Sequence, residues 1–356
     1  MHNSDTYKSC LGDEKHYHDF LVYFQDEMDA KGWQNVLNEY LFAGDERADD
    51  MLVRMFAGFF HPIIHLGLGI EFNQPAIIAE ALAQAAVHDC WMKSFLIGAE
   101  KKAARSPPVT SKSIVELLDE VHADPAIRNA PHWEDGNKLR DGILKRVPEA
   151  MIGYAAQYNF KPEQLEEKTA EMINASAYFT GAAQHPPKQV KIDFYYMHCF
   201  NCSIFFSAFL KQDWLGTKNK VRLLEWKGRS DVAMYASRKS PPLLINEIEN
   251  YQPKAPVKDA EDPWADIMER VCRYDDDGHG SKLVRALAHG QQACQPYESK
   301  DAFRIKGNMW LQLGHMAIDS VEGPGPEWVR SCGFEQAWEK IEERPRAQLQ
   351  SYVNRR

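Results

Sequence analysis

Between Met51 and Leu96 the chain reads MLVRMFAGFFHPIIHLGLGIEFNQPAIIAEALAQAAVHDCWMKSFL, an apolar, helix-like stretch that carries three histidines. So much apolar surface has to be buried against other elements, and the histidines are buried with it. His61 and His65 are four residues apart, so on a helix they lie one turn above each other, the spacing by which two imidazoles meet one metal ion. His88 closes a second helical run, AIIAEALAQAAVH, directly before Asp89. One histidine in an apolar helix is ordinarily a core residue with a satisfied hydrogen bond. Three need three separate partners or one shared cation, and the spacing favours the shared site.

Proline marks the boundaries of these helices. Pro62 lies between the paired histidines, which places them at a helix start or at a bend, and Pro75 is positioned to open the helix that leads to His88. Upstream, residues 17–42 carry apolar positions at helical spacing, and Gly32 divides them into two helices.

The second half of the chain continues in the same manner. Residues 100–148 are mostly polar, and His122 and His132 sit there among charges and prolines, as surface residues do. EQLEEKTAEMINASAYFTGAA reads as an amphipathic helix ended by HPPK. IDFYYMHCFNCSIFFSAFL is apolar almost throughout, lacks period-two alternation and encloses His198, which predicts a fully buried helix. Its CxxC, Cys199 and Cys202, has no second pair with which to complete a zinc site and reads as two small buried thiols. NKVRLLEWKGRSDVAMYASR predicts a further amphipathic helix closed by SPPLL. YQPKAPVKDAEDP is a surface connection. DDDG then forms a loop that delivers His279 to a helix start, with Lys282 three residues on and Arg285 three further. An isolated DDDG without the remaining ligands of a calcium loop is a solvated helix N-terminus. RIKGNMWLQLGHMAIDSVE, with Lys306 and His315, is another apolar helix, and the tail from Gln336 is polar helix with a basic end.

Composition narrows the class. Hydrophobic content of 44% and charged content of 26% are ordinary for a soluble protein. A net charge of −9 argues against nucleic-acid or anionic-membrane partners, which need a basic surface. The polar first residues give no secretory signal, no run reaches a membrane span, and seven scattered cysteines make no disulfide framework. These features together predict a cytoplasmic protein. The chain contains no GxGxxG, P-loop or GxSxG, so chemistry here uses the histidines or is absent. The expected architecture is all-α: a single large helical domain over 1–356, with N-terminal helices in 1–50, a core in 51–320 and a tail in 321–356, built around a buried histidine-rich metal centre.

The blocks HPIIHLGLGIEF, EALAQAAVH, RLLEWKGRSDVAMYASRKSPPL, DDGHGSKLVRAL and GNMWLQLGHMAIDS, in this order, resemble the questin oxidase-like family of fungal and bacterial oxidoreductases. The resemblance implies oxidative ring opening of an anthraquinone-type polyketide with O2, as a Baeyer–Villiger-like oxygen insertion or a carbon–carbon cleavage, on a helical fold without flavin. It also implies a mononuclear iron, held by histidines and a carboxylated lysine. By position that selects His61 or His65, His88, His198 and His279 as metal ligands, with His65 and His198 in catalysis and Lys282 as the carbamate, Lys306 being its rival. Imidazoles suit Fe(II), and a carbamate would supply an anionic oxygen donor. Two alternatives stand beside this reading. His88-Asp89 with His61 or His65 fits a metal-dependent hydrolase of HD type, and a metal-free oxidoreductase consuming NADPH, or a helical polyketide-binding protein, needs no metal at all.

Overall fold

The computed structural model describes residues 4–105, 112–255 and 262–345, and it is mostly helical. Strand among these residues is confined to two parallel dipeptides, Ile192–Asp193 beside Trp328–Val329, and one isolated bridge. Two compact units are built from interleaved segments: Met1–Ser111, Met151–Thr169 and Phe205–Ser230 in the first, and Lys112–Ala150, Ala170–Ile204 and Asp231–Arg356 in the second.

In the first unit Gly32 does separate two helices, Tyr17–Lys31 and Trp33–Tyr40. The helix Glu46–Arg54, capped by Asp45 accepting from Ala48 N at 2.8 Å, meets the next helical segment, Gly58–Glu71, at a bend of 73°. Pro62 sits in the first turn of the helix His61–Glu71 and Pro75 opens the helix Pro75–Val87, the positions where a missing N–H leaves no intrahelical bond unmade. These two helices pack closely because of small residues. A Cβ on Gly69 would stand 2.5 Å from Ile78 Cγ1, and one on Gly67 would collide with the Phe205 ring. No single helix among the described residues is long and apolar enough to cross a membrane.

The predicted helix around His198 forms as two pieces, Phe194–Ser203 in the second unit and Phe206–Leu210 in the first. Tyr196 to Ser203 are all buried, Cys199 and Cys202 among them. The helix Thr217–Ser237 is not the amphipathic element its charges suggest, because Lys227, Arg229 and Asp231 are fully buried. Arg229 is held inside the first unit by Glu225 at 2.9 Å and the Tyr158 carbonyl at 3.2 Å, and Tyr158 packs so tightly on Gly228 that no Cβ fits there. His122 also departs from expectation: it is half-buried, with Nδ1 donating to the Ser240 carbonyl at 2.7 Å, whereas His132 is exposed. Residues 256–261 of the expected surface connection and 346–356 of the tail lie outside the described residues. The rest of the tail holds a single 3-10 turn, Glu335–Trp338, in place of the expected α-helix.

In the second unit the helices Pro263–Arg273, His279–Cys294 and Met309–Glu322 pack together through Gly290 against Trp310 and Gly314 against Trp264. His315 is buried in this bundle, and neither ring nitrogen has a hydrogen-bond partner among the described residues. Burial therefore depresses its pKa, against the opposing pull of Asp319 and Asp266, while Arg270 adds to the depression. A depressed folded-state pKa means that the unfolded chain takes up the proton first. Stability linked to His315 is intact above the ordinary imidazole pKa of about 6.5 and is lost as pH falls through the folded value. His315→Met removes both the charge and the unpaired nitrogens. Urea unfolding at pH 7 and pH 5 should show the wild type losing more stability on acidification than His315→Met, and equal losses would contradict this account of the bundle.

Candidate functional site

The candidate site begins with one carboxylate. Asp193 is buried and caps the helix Phe194–Ser203, its Oδ1 accepting from Tyr195 N at 2.8 Å and Tyr196 N at 3.2 Å. Its Oδ2 accepts from Ser331 N at 2.7 Å and Cys332 N at 2.8 Å, which ties the helix start to the segment that follows Trp328–Val329. Burial pushes the Cys332 thiol well above its ordinary pKa, and the neighbouring carboxylate adds to the shift. Arg238, itself buried, lies 3.7 Å from the Tyr195 ring centroid and donates to Ser331 Oγ at 3.1 Å, holding the same junction from its other side.

This junction brings together aromatic and imidazole rings from three parts of the sequence. His198, one turn into the helix, donates Nδ1–H to the Phe194 carbonyl at 2.7 Å. His279, the first residue of its helix, donates Nδ1–H to the Asp277 carboxylate. Both acceptors carry only lone pairs, so each ring is fixed as the tautomer with its lone pair on Nε2. The ring centroids of His198 and His279 are 5.1 Å apart, with Phe194 4.5 Å from the first and 5.0 Å from the second. Trp328 lies 6.2 Å from the His279 ring, and the Arg330 guanidinium stands 4.3 Å over Phe194. His279 Nε2 is buried and has no hydrogen-bond partner among the described residues. Desolvation raises the Asp277 carboxyl, but its hydrogen bonds to His279 outweigh it and hold its pKa below the ordinary value.

Asp276 shapes the loop that delivers His279. Its two oxygens accept from Gly278 N at 2.7 Å and Gly280 N at 2.8 Å, and Gly278 takes a left-handed φ of 84°. The DDDG run is therefore a turn and helix cap, as the sequence suggests, with Asp277 left over to orient the histidine. Lys282, on the same helix, is exposed while His279 is buried, and Lys306 is half-buried before the helix Met309–Glu322.

The other three candidate histidines, His61, His65 and His88, lie in the first unit and are half-buried, not buried as the apolar sequence around them suggests. His65 donates Nδ1–H to the His61 carbonyl at 2.9 Å, and the two rings are 6.3 Å apart. His88 is the C-cap of the helix Pro75–Val87, and its carbonyl accepts from Arg54 Nη1. Its half-buried ring has a depressed pKa, burial being the main cause. Ahead of His61, three consecutive residues, Gly58, Phe59 and Phe60, have left-handed φ values of 53°, 57° and 68°. Two of these are phenylalanines, for which the conformation is strained, and such strain persists only where the surroundings impose it. Among the described residues no three His, Cys, Asp or Glu side chains stand close enough together to hold a metal ion. Asp277, Trp328 and Arg330 were not candidates from sequence, since none shares a helix face with a histidine and the second two come from a segment far along the chain.

The sequence model of the family described as Questin oxidase-like matches residues 1–287. The chain is 44% identical over 340 residues to a Baeyer–Villiger monooxygenase, dmxR6, of Cryptosporiopsis, covering 93% of this chain and 76% of that protein. It is 40% identical over 348 residues to the Baeyer–Villiger oxidase ptaJ of Pestalotiopsis fici, covering 96% and 78%. To a questin oxidase of Aspergillus fumigatus it is 37% identical over 348 residues, covering 95% and 77%.

The turn before His61 has a direct consequence. A Cβ on Gly58 would stand 2.5 Å from His88 Nε2, in a backbone conformation that L side chains rarely adopt. Gly58→Ala should cost roughly 1–3 kcal/mol of stability and displace the His88 ring, read by urea unfolding and by the histidine ring proton shifts. A variant with unchanged stability and His88 resonances would show that the turn does not constrain this ring.

Proposed function

The chain belongs to the questin oxidase-like family and is an oxidoreductase, and we propose that it opens a ring of an aromatic polyketide, such as an anthraquinone, by Baeyer–Villiger-type oxygen insertion. The observation that carries the assignment to a site is the His198–His279 pair, two rings whose Nδ1 atoms are tied and one of which holds a buried, unpartnered Nε2. One oxygen atom of O2 enters the bond beside a ring carbonyl, and the other leaves as water with two electrons and two protons. The electrons come from an external reductant, for which NADPH is the candidate.

The chain's own residues account for the substrate half of this reaction. Phe194 and Trp328 offer flat faces to an aromatic ring, and Arg330 offers charge to a phenolate or carbonyl oxygen. His279 Nε2 is suited to accept a phenolic proton, with Asp277 stabilising the imidazolium that forms. The resulting phenolate enriches the ring whose carbonyl neighbour is to be oxidised.

Iron fits this pair in part. Histidine ligands ordinarily have their second nitrogen fixed by a carbonyl or carboxylate, as both rings do here. His198 and His279 would supply two imidazole donors, and among the described residues no third His, Cys, Asp or Glu stands with them to complete a ligand set. When bound, Fe(II) would supply oxygen activation. The metal-free reading uses the same pair with His279 as base.

The test is turnover and iron content measured together. His279→Ala and Asp277→Asn should each lower turnover of an anthraquinone about 100-fold or more, the ordinary contribution of a positioned base. Iron lost from His198→Ala and His279→Ala supports the metal reading, and full iron in Lys282→Ala removes the carbamate from it. Wild-type turnover in His279→Ala would remove this site from the chemistry.

A further inference from the structure

The helix Glu46–Arg54 lines a cavity built entirely from residues of the first unit. Glu46, Arg47, Asp50 and Arg54 from this helix, Tyr7, Lys8 and Leu11 near the N-terminus, and Lys93 enclose about 350 Å³. In a chain of net charge −9, the cavity wall sets four cationic side chains against two carboxylates. One of those carboxylates is already committed: Asp50 accepts from Arg54 Nε at 2.7 Å, Lys93 Nζ at 3.2 Å and Cys90 Sγ at 3.2 Å. Burial raises the Asp50 carboxyl, but Arg54, Cys90 and Lys93 together hold its pKa below the ordinary value, so it stays charged and keeps those cations in place.

A neutral group makes the same demand. Tyr7 is only 4% exposed, and its hydroxyl is buried without a hydrogen-bond partner among the described residues. It cannot swing away to find one. Its ring is wedged edge-on against Phe20 at 5.4 Å and Tyr23 at 6.1 Å, with Tyr40 also at 6.1 Å. An unmade bond of this kind is costly, whereas an oxygen acceptor in the cavity would satisfy it. Arg47 is paired with Glu39 at 3.4 Å, yet cations still outnumber carboxylates along the wall that Tyr7 shares, and clustered cations beside an orphaned donor are met by a single chemistry, an oxyanion. The volume exceeds that of an inorganic ion and falls at the low end for organic ligands.

We propose that this cavity binds a small organic oxyanion, a phosphate or a carboxylate, with Tyr7 donating to one of its oxygens and Lys8, Arg47, Arg54 and Lys93 supplying the positive field. Arg54 connects the cavity to the candidate histidines, because its Nη1 donates to the His88 carbonyl. An anion on this guanidinium therefore bears on His88, whose ring rests on the Gly58 turn that leads to His61.

Calorimetric titration of the full chain with inorganic phosphate and, separately, with malonate tests the proposal in low chloride. At least one ion should bind saturably with a Kd in or below the range of about 10 mM, and should move the His88 ring resonances. Tighter phosphate binding assigns the ligand to organic phosphates, and tighter malonate binding to carboxylates. Tyr7→Phe removes one hydroxyl and should weaken binding roughly ten-fold, while the free protein melts no lower than wild type because an unpaired buried group has gone. Lys8→Gln and Lys93→Gln should each weaken binding several-fold, and Lys8→Gln keeps the test decisive if Tyr7→Phe does not fold. Absence of binding by both ions, or equal affinity in Tyr7→Phe, Lys8→Gln and wild type, would overturn the proposal.

Discussion

The carboxylate of Asp193 is the interaction that ties the start of the His198 helix to the segment carrying Trp328 and Arg330. A buried anion is tolerable only when hydrogen-bonded, and Asp193 accepts from four backbone N–H groups that belong to two segments well over a hundred residues apart. One pair starts the helix that carries Phe194 and His198. The other pair fixes the backbone just beyond Trp328 and Arg330. The two-residue parallel ladder between Ile192–Asp193 and Trp328–Val329 is too short to hold that register alone, so the carboxylate does most of the positioning.

A comparable economy governs the charged residues of the helix Thr217–Ser237. Arg229 is fully buried, and burial lowers its pKa and raises that of Glu225, so each partner is unfavourable alone. Their contact at 2.9 Å, with the Tyr158 carbonyl as a further acceptor, offsets part of that cost, since Arg229 Nε and Nη1 have no hydrogen-bond partner among the described residues. Removing one member of such a pair is more damaging than replacing both, because an uncompensated charge stays inside. The close approach of Tyr158 to Gly228 locks the pair further. Rigid polar contacts of this sort specify one packing where apolar contacts alone would permit several.

These features explain what could be read from the sequence. Pro62, Pro75, Gly32 and the histidine spacings follow from local backbone rules, and the helices start and stop where those residues direct. His279 at a helix start was legible for the same reason, since the aspartate and glycine loop before it is a local signal. Buried charge was not legible. Lys227, Arg229 and Asp231 fit a helix with solvated charges, and only tertiary contacts reveal that all three are inside. Trp328 and Arg330 were missed because their relation to His198 is created by Asp193 across the chain, a relation that no helical or strand period encodes. Lys282 shares a helix face with His279 by its three-residue spacing, yet the two side chains are still about 60° apart around the helix, and at the edge of the buried face that leaves the lysine exposed beside a buried ring.

The tautomer imposed on His279 carries the chemistry one step further. With Nδ1–H given to Asp277, the remaining lone pair points from Nε2 into a buried environment that offers it no donor among the described residues. A proton or a cation arriving there meets the same lone pair, and the same carboxylate stabilises either product. The base and ligand readings therefore share one geometry and differ in what Asp277 must do. As the partner of a base, it stabilises a charge that forms and disappears in each turnover. Beside a ligand, it holds a ring whose charge never changes. Loss of the carboxylate should then fall chiefly on rate in the first case and on metal affinity in the second, because only the base must change its protonation state during the reaction.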